Sequence, residues 1–265
     1  MHPAPEVSII IPAVGGSAAL HETVASIDPH EAVEILLVTS CVDTVLPDDP
    51  RVIPLRGAGH GPNVARNLAL GVARAPLVAF MNPADRWRPG RLAAQLALHR
   101  TKPQLGLSFT DQALVTADGQ DHGSILAATA HFAERHAGRS LPFCLGEDAL
   151  AQVFAEEIIG TSTVMANAAL LRALGGFEPG LSSGAPWDLW LRVAAVAPIA
   201  CIPRVMSELR LAPLARWRID ARKRLVAMRE VALRHRQAAL LQDVDAVRHC
   251  TARMLVTEAE LGLAA

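Results

Sequence analysis

The strongest constraint on this chain is the order of its first hundred residues, where short β-branched runs alternate with helix-length stripes. Val7 to Ile11 is a short β-branched run closed by Pro12, as expected of a buried strand. Gly15, Gly16 and Ser17 read as a turn and helix cap, and Leu20, Val24 and Ile27 form a helical stripe. Val33 to Val38 and Val52 to Leu55 read as further strands, Asn63 to Ala73 as a helix, and Leu77 to Met81 as a fourth strand. Strands separated by helices predict βαβ units and a mostly parallel sheet. In such sheets ligands bind at the carboxyl ends of the strands, so the segments after Ile11, Val38 and Met81 should line the site.

The second half changes character. Leu107 to Thr110 and Ala113 to Thr116 read as two strands, followed by a turn at Asp118-Gly119. Thr161 to Met165 reads as a strand, Ala168 to Leu174 as a helix closed by Gly175-Gly176, and Trp187 to Val196 as a helix. From Leu214 onward the pattern is helical to the end. No repeat or linker divides the chain. The expectation is one α/β unit over 1–210, with halves at 1–105 and 106–210, and a helical extension over 211–265.

Composition narrows the function classes. A net charge of -1 and a pI near 6.8 give no global attraction to nucleic acid, and the chain lacks tyrosine for base stacking. Cys41, Cys144, Cys201 and Cys250 are far apart with no C-x-x-C pair, which predicts buried, reduced thiols and no zinc site. No leader-like segment and no apolar run of about 18 residues is present, so a cytoplasmic protein is expected. Residues 216–236 are rich in Arg and Lys, with Trp217, Ala221, Leu225, Met228 and Val231 at helical spacing. Such a helix packs its stripe on the domain and shows charge to water, or docks on a protein or an anionic membrane. The first of these is the favoured reading.

Seven motifs then occur in a recognisable order: V-S-I-I-I-P (7–12), G-P-N-V-A-R-N-L-A-L (61–70), F-M-N-P-A-D-R-W-R-P-G-R-L (80–92), F-T-D-Q-A-L-V-T-A-D-G (109–119), G-T-S-T-V-M (160–165), L-G-G-F-E (174–178) and W-D-L-W-L-R-V-A (187–194). Together they resemble the inverting glycosyltransferases of family 2, which have the GT-A fold, from about Val7 to about Arg210. The resemblance implies hexosyl transfer from a nucleotide-sugar to an acceptor, as in polysaccharide biosynthesis. It places the nucleotide against Pro12, Ala13, Ser40, Arg66, Asn67 and Asn82.

The same resemblance exposes four departures. Where the family carries base-contacting aspartates after the second strand, this chain has Thr39 and Ser40. Its metal-binding D-x-D aligns with Asn82, Pro83 and Ala84, so Mg²⁺ or Mn²⁺ would depend on Asn82 and the neighbouring Asp85 alone. The acidic pair holding the general base is Ala185-Pro186, which leaves Asp188 and Asp85 as the catalytic candidates. The late R-x-H is Arg210 to Ala212, without the histidine. Arg56, His60, Arg86 and Arg88 are cations that could face a diphosphate or serve as salt-bridge partners. Two functions of different class follow: a sugar transferase using unusual groups, or a binding or scaffolding protein that keeps the fold without turnover.

Overall fold

The computed structural model describes residues 4–13, 19–40, 44–57, 61–116, 118–181, 183–211 and 214–262, with side chains from 222 onward in the last segment. The predicted cap at Gly15, Gly16 and Ser17, together with Cys41, His60, Ala212 and the side chains of Arg216, Trp217, Arg218, Asp220 and Ala221, lies outside them.

The elements run β1 (Val7–Pro12), α1 (Leu20–Ala25), β2 (Val33–Thr39), β3 (Val52–Arg56), α2 (Pro62–Val72), β4 (Leu77–Phe80), β5 (Arg86–Trp87) and α3 (Arg91–Thr101). Next come β6 (Leu107–Val115), β7 (Asp121–Ser124), α4 (Ile125–Ala128), α5 (Ala130–Arg135), β8 (Phe143–Cys144) and α6 (Ala149–Ala155). A 3₁₀ turn (Thr161–Thr163), β9 (Met165–Asn167), α7 (Ala168–Ala173), α8 (Ala185–Ala194), β10 (Ile199–Arg210), α9 (Leu214–Gln242) and α10 (Val244–Glu260) complete the chain.

One sheet holds all the strands in the order β3-β2-β1-β4-β9-β6-β10-β5, with β7 beside β6 and β8 beside β10. β3, β2, β1 and β4 are mutually parallel, β9 is antiparallel to β4 and β6, and β10 is parallel to β6. Successive side chains on a strand face opposite ways, and the cores divide accordingly. Ile10, Leu36, Val38 and Phe80 pack with α2, α6, α7 and α8, while Ile9, Ile11, Ile35 and Leu37 pack with α1 and α3. Because both faces are covered, these strands read as continuous apolar runs.

Several expectations need correction. Leu107 to Val115 is a single strand, because the polar Asp111-Gln112 pair that suggests a break is satisfied inside the fold. Asp111 Oδ1 accepts the Gln112 amide at 2.7 Å and the Leu126 amide at 3.0 Å. The segment read as a strand from Thr161 begins as a 3₁₀ turn, with Thr163 N–H on the Gly160 carbonyl at 2.9 Å. The tail is two helices. Asp243 ends the first and caps the second, its carboxylate accepting the Asp245 amide at 2.9 Å. Cys144 is exposed on the short strand β8, whereas Cys201 and Cys250 are buried as expected.

The tail packs as part of the core. Leu225, Met228 and Val231 of α9 are buried, and α9 and α10 both lie on α6. Among the described residues, no helix is long and apolar enough to cross a membrane.

Candidate functional site

The strand order itself locates a site. From β1 the chain proceeds outward through β2 to β3, then returns to place β4 on the other side of β1. The carboxyl ends of β1 and β4, at that reversal, are the position where open α/β sheets bind ligands. Pro12 closes β1, Thr39 closes β2 beside Arg56, and Asn82 follows β4. Pro12, Ala13, Ser40 and Asn82 thus come to neighbouring strand ends. Beside them Thr39, Ser40, Thr44, Pro54, Arg56 and Gly57 line a groove of about 360 Å³. Gly57 is needed there, since a Cβ would lie 2.9 Å from Val38 Cγ1.

The loop after β4 is pinned from three directions. The Asn82 amide donates to Ser162 Oγ at 2.9 Å, the Ala84 amide to Thr23 Oγ1 at 3.0 Å, and the Trp87 amide to Ser26 Oγ at 3.0 Å. Trp87 Nε1 reaches the Ser162 carbonyl at 2.9 Å. Ala84 has φ of 84°, a left-handed conformation that costs a residue with a Cβ about 1 kcal/mol or more.

Asp85 sits buried at the centre of this loop. Its Oδ2 accepts from Ser162 Oγ at 2.5 Å and from Asn82 Nδ2 at 3.2 Å. Burial raises its pKa to about 6 from 3.8, with the hydrogen bonds from Ser162 and Asn82 opposing the shift. Arg66 of α2 is buried alongside. Its Nη2 donates to Asn82 Oδ1 at 2.9 Å and its Nη1 to Asn63 Oδ1 at 3.1 Å, and its guanidinium lies 5.3 Å from the Phe177 ring centre. Both oxygens belong to neutral amides. Burial pushes Arg66 down to about 10, with the Asp85 charge opposing.

Divalent-metal chemistry is a poor match for these donors. Asn82 gives its carbonyl to Arg66 and its amide to Asp85, Asp85 Oδ2 already accepts two hydrogen bonds, and Ala84 has no ligand atom. No group of three or more His, Cys, Asp or Glu side chains suited to a metal occurs among the described residues. Mg²⁺ demands near-octahedral oxygen ligation, which one enclosed carboxylate does not supply.

The other candidates are held elsewhere. Asn67 clasps the backbone of Phe177, donating to its carbonyl at 2.7 Å and accepting its amide at 2.8 Å. Arg86 is ion-paired with Glu22, and Arg88 with Glu208 at 3.2 Å, so these arginines take the salt-bridge role rather than facing a diphosphate. Ala185, where the acidic pair was expected, is buried in the first turn of α8 with Pro186 beside it. Asp188 is buried among basic side chains: Arg192 at 2.9 Å, His235 at 2.9 Å and Arg234 at 3.7 Å. Burial would raise its carboxyl, but His235 and Arg192 hold it below the usual range. A carboxylate so engaged is a weak proton acceptor. Its partners line a second cleft with Glu178 and Gly176, apart from the Asp85 cluster.

Sequence reasoning did not single out Ser162, Thr23 or His235. Ser162 lies inside the quoted G-T-S-T-V-M motif, so its hydroxyl was findable; His235 is 47 positions from Asp188 and carried no local signal.

No family model matches the chain. Its fold is shared with S. aureus TarS: the TarS 1-349 structure superposes with a TM-score of 0.64 at 14% identity, covering 96% of this chain and 71% of that one. The complex of TarS 1-349 with UDP-GlcNAc gives a TM-score of 0.64 at 15% identity, over 96% and 72%. The fold is the TarS fold. By sequence, a Bacillus subtilis protein named as the putative teichuronic acid biosynthesis glycosyltransferase TuaG is 29% identical over 172 residues, 61% of this chain and 62% of its own length. An uncharacterized Mycobacterium tuberculosis protein, MT1568, is 27% identical over 218 residues, 77% and 66%. The chain therefore spans less than two thirds of the length of either curated relative.

Proposed function

We propose that this chain is a glycosyltransferase-like protein of the family 2, GT-A type, which binds a nucleotide-sugar at the carboxyl ends of β1, β2 and β4. The observation that carries the reading is the buried Arg66–Asn82–Asp85 cluster beside Pro12 at the strand-order reversal. Support comes from the fold shared with TarS, which binds UDP-GlcNAc in its complex, and from the resemblance to TuaG, named as a putative teichuronic acid biosynthesis glycosyltransferase. A buried guanidinium whose two hydrogen bonds go to neutral amides, with the Asp85 carboxyl nearby, favours an anionic ligand such as a diphosphate. Ser40 would offer a hydroxyl to the base edge, without the charge-assisted bond of an aspartate.

A second reading has its own support. A positioned base contributes roughly 10²–10⁴ in rate, and Asp188 is committed to Arg192 and His235. This favours a nucleotide-sugar-binding protein without turnover, acting as a binding or scaffolding partner.

Calorimetric titration with UDP, GDP and UDP-GlcNAc, each with EDTA or Mn²⁺, tests both readings. Binding that is indifferent to Mn²⁺ and lost in Arg66→Met is the expected result. Failure to bind any nucleotide would refute the proposal. Release of UDP from UDP-GlcNAc in the presence of candidate acceptors separates transfer from binding alone.

A further inference from the structure

Helix α9 carries two apolar rows. The first, Leu225, Met228 and Val231, is buried against the domain. The second is Val226, Leu233 and Leu240, which are 66%, 78% and 41% exposed. Its members recur every seven residues, so they stand in line over about 21 Å of helix. A parallel row at the same period, Arg222, Arg229 and Arg236, lies beside it, also exposed. At 100° per residue all six side chains fall within about 80° of arc.

The charges on this face are largely unspent. Arg229 pairs with Glu258 at 2.8 Å, but Arg222 and Arg236, and Lys223 on the flank of the face, carry no ion pair among the described residues. The chain as a whole is nearly neutral, so the cationic excess is local to this helix.

We propose that the solvent face of α9 docks on an anionic lipid surface. Its arginines would meet headgroup charge, and Val226, Leu233 and Leu240 would enter the acyl boundary. Three aliphatic side chains give too little apolar area to hold a neutral bilayer, so lipid charge is required. Charge complementarity also decides against a second copy. Two such faces would bring arginine rows together, and the nearby acidic residue Glu230 is already engaged by Arg234 at 2.5 Å. The proposal is independent of the nucleotide reading, and its test uses no nucleotide.

The full chain is sedimented with phosphatidylcholine vesicles, with and without one-third phosphatidylglycerol. Pelleting with the anionic vesicles only, reversed near 1 M salt where the screening length falls to about 3 Å, is expected. The combined Arg222→Gln, Lys223→Gln and Arg236→Gln change should weaken binding on the order of a hundredfold, about fivefold per charge. Leu233→Ser should weaken it severalfold. All four positions are exposed, and an unchanged urea midpoint checks that each variant folds. Equal pelleting with neutral vesicles, no pelleting, or wild-type binding by the triple variant would overturn the proposal. So would a dimer in light scattering that Leu233→Ser dissolves, or tighter retention by polyglutamate than by vesicles.

Discussion

Asp85→Asn should change the pH dependence of stability in a way that no surface carboxylate could. Asp85 is buried and its pKa rises to about 6 in the native protein from 3.8. Below the unfolded value both states hold the proton, and the group costs the fold nothing. As pH rises through the native value, ionisation favours the unfolded chain. The cost reaches about 3 kcal/mol, from 1.36 kcal/mol for each of roughly two pKa units. Asparagine has nearly the same shape but does not titrate, and its different hydrogen bonds with Ser162 and Asn82 add an offset that is the same at every pH. Urea unfolding of both proteins from about pH 4 to about pH 8 isolates the pH-dependent part. Wild type should lose about 3 kcal/mol relative to the variant between about pH 4 and pH 6.5, then run parallel to it. A difference that stays constant with pH, or wild type gaining on the variant as pH rises, would refute the burial argument.

Other perturbations have equally definite outcomes. Ala84→Gly relieves the positive φ and should raise the urea-derived stability by up to about 1 kcal/mol, whereas Ala84→Val should lower it by about 1–3 kcal/mol. Gly176→Ala should cost at least about 2 kcal/mol in the same assay. It has φ of 69°, and a Cβ there would stand 2.4 Å from Asn67 Oδ1, breaking the clasp on Phe177. Asp188→Asn leaves Arg192 and His235 without their carboxylate and should cost about 3 kcal/mol by thermal or urea unfolding. If the chain turns over, the rate of that folded variant should stay within about tenfold of wild type, since Asp188 is held as an ion-pair partner.

How much of this was readable in the chain depends on whether the signal was local. β1, β2 and β4 were legible because strands covered on both faces are mostly apolar; Val7 to Ile11 and Val33 to Val38 depart from that only at Ser8 and Glu34, which hydrogen-bond each other inside the sheet. β10 was not, since Pro203, Arg204, Ser207 and Glu208 break any apolar run; its register shifts around Val205 accommodate them against β6. Asp85 was visible as a surviving carboxylate beside an altered metal motif. Its burial was not, because that depends on Ser162, which is 77 positions away. Arg86 and Arg88 look alike in sequence to cations that face a ligand. Only the folded positions of Glu22 and Glu208 assign them to ion pairs.

The grip of Asp188 on His235 has a consequence for where this protein can be cut. A division near residue 210 follows the pattern of strands and motifs, yet Val231 and Met228 complete the apolar layer over α6 and α8. Removing the tail would uncover that layer and leave Asp188 with Arg192 as its one remaining partner of Arg192, Arg234 and His235. The smallest cooperative unit should therefore extend beyond the sheet. Expression of the first 210 residues alone should yield a sticky, loosened α/β body rather than a working half, and the two C-terminal helices belong in any shortened version meant to stay folded.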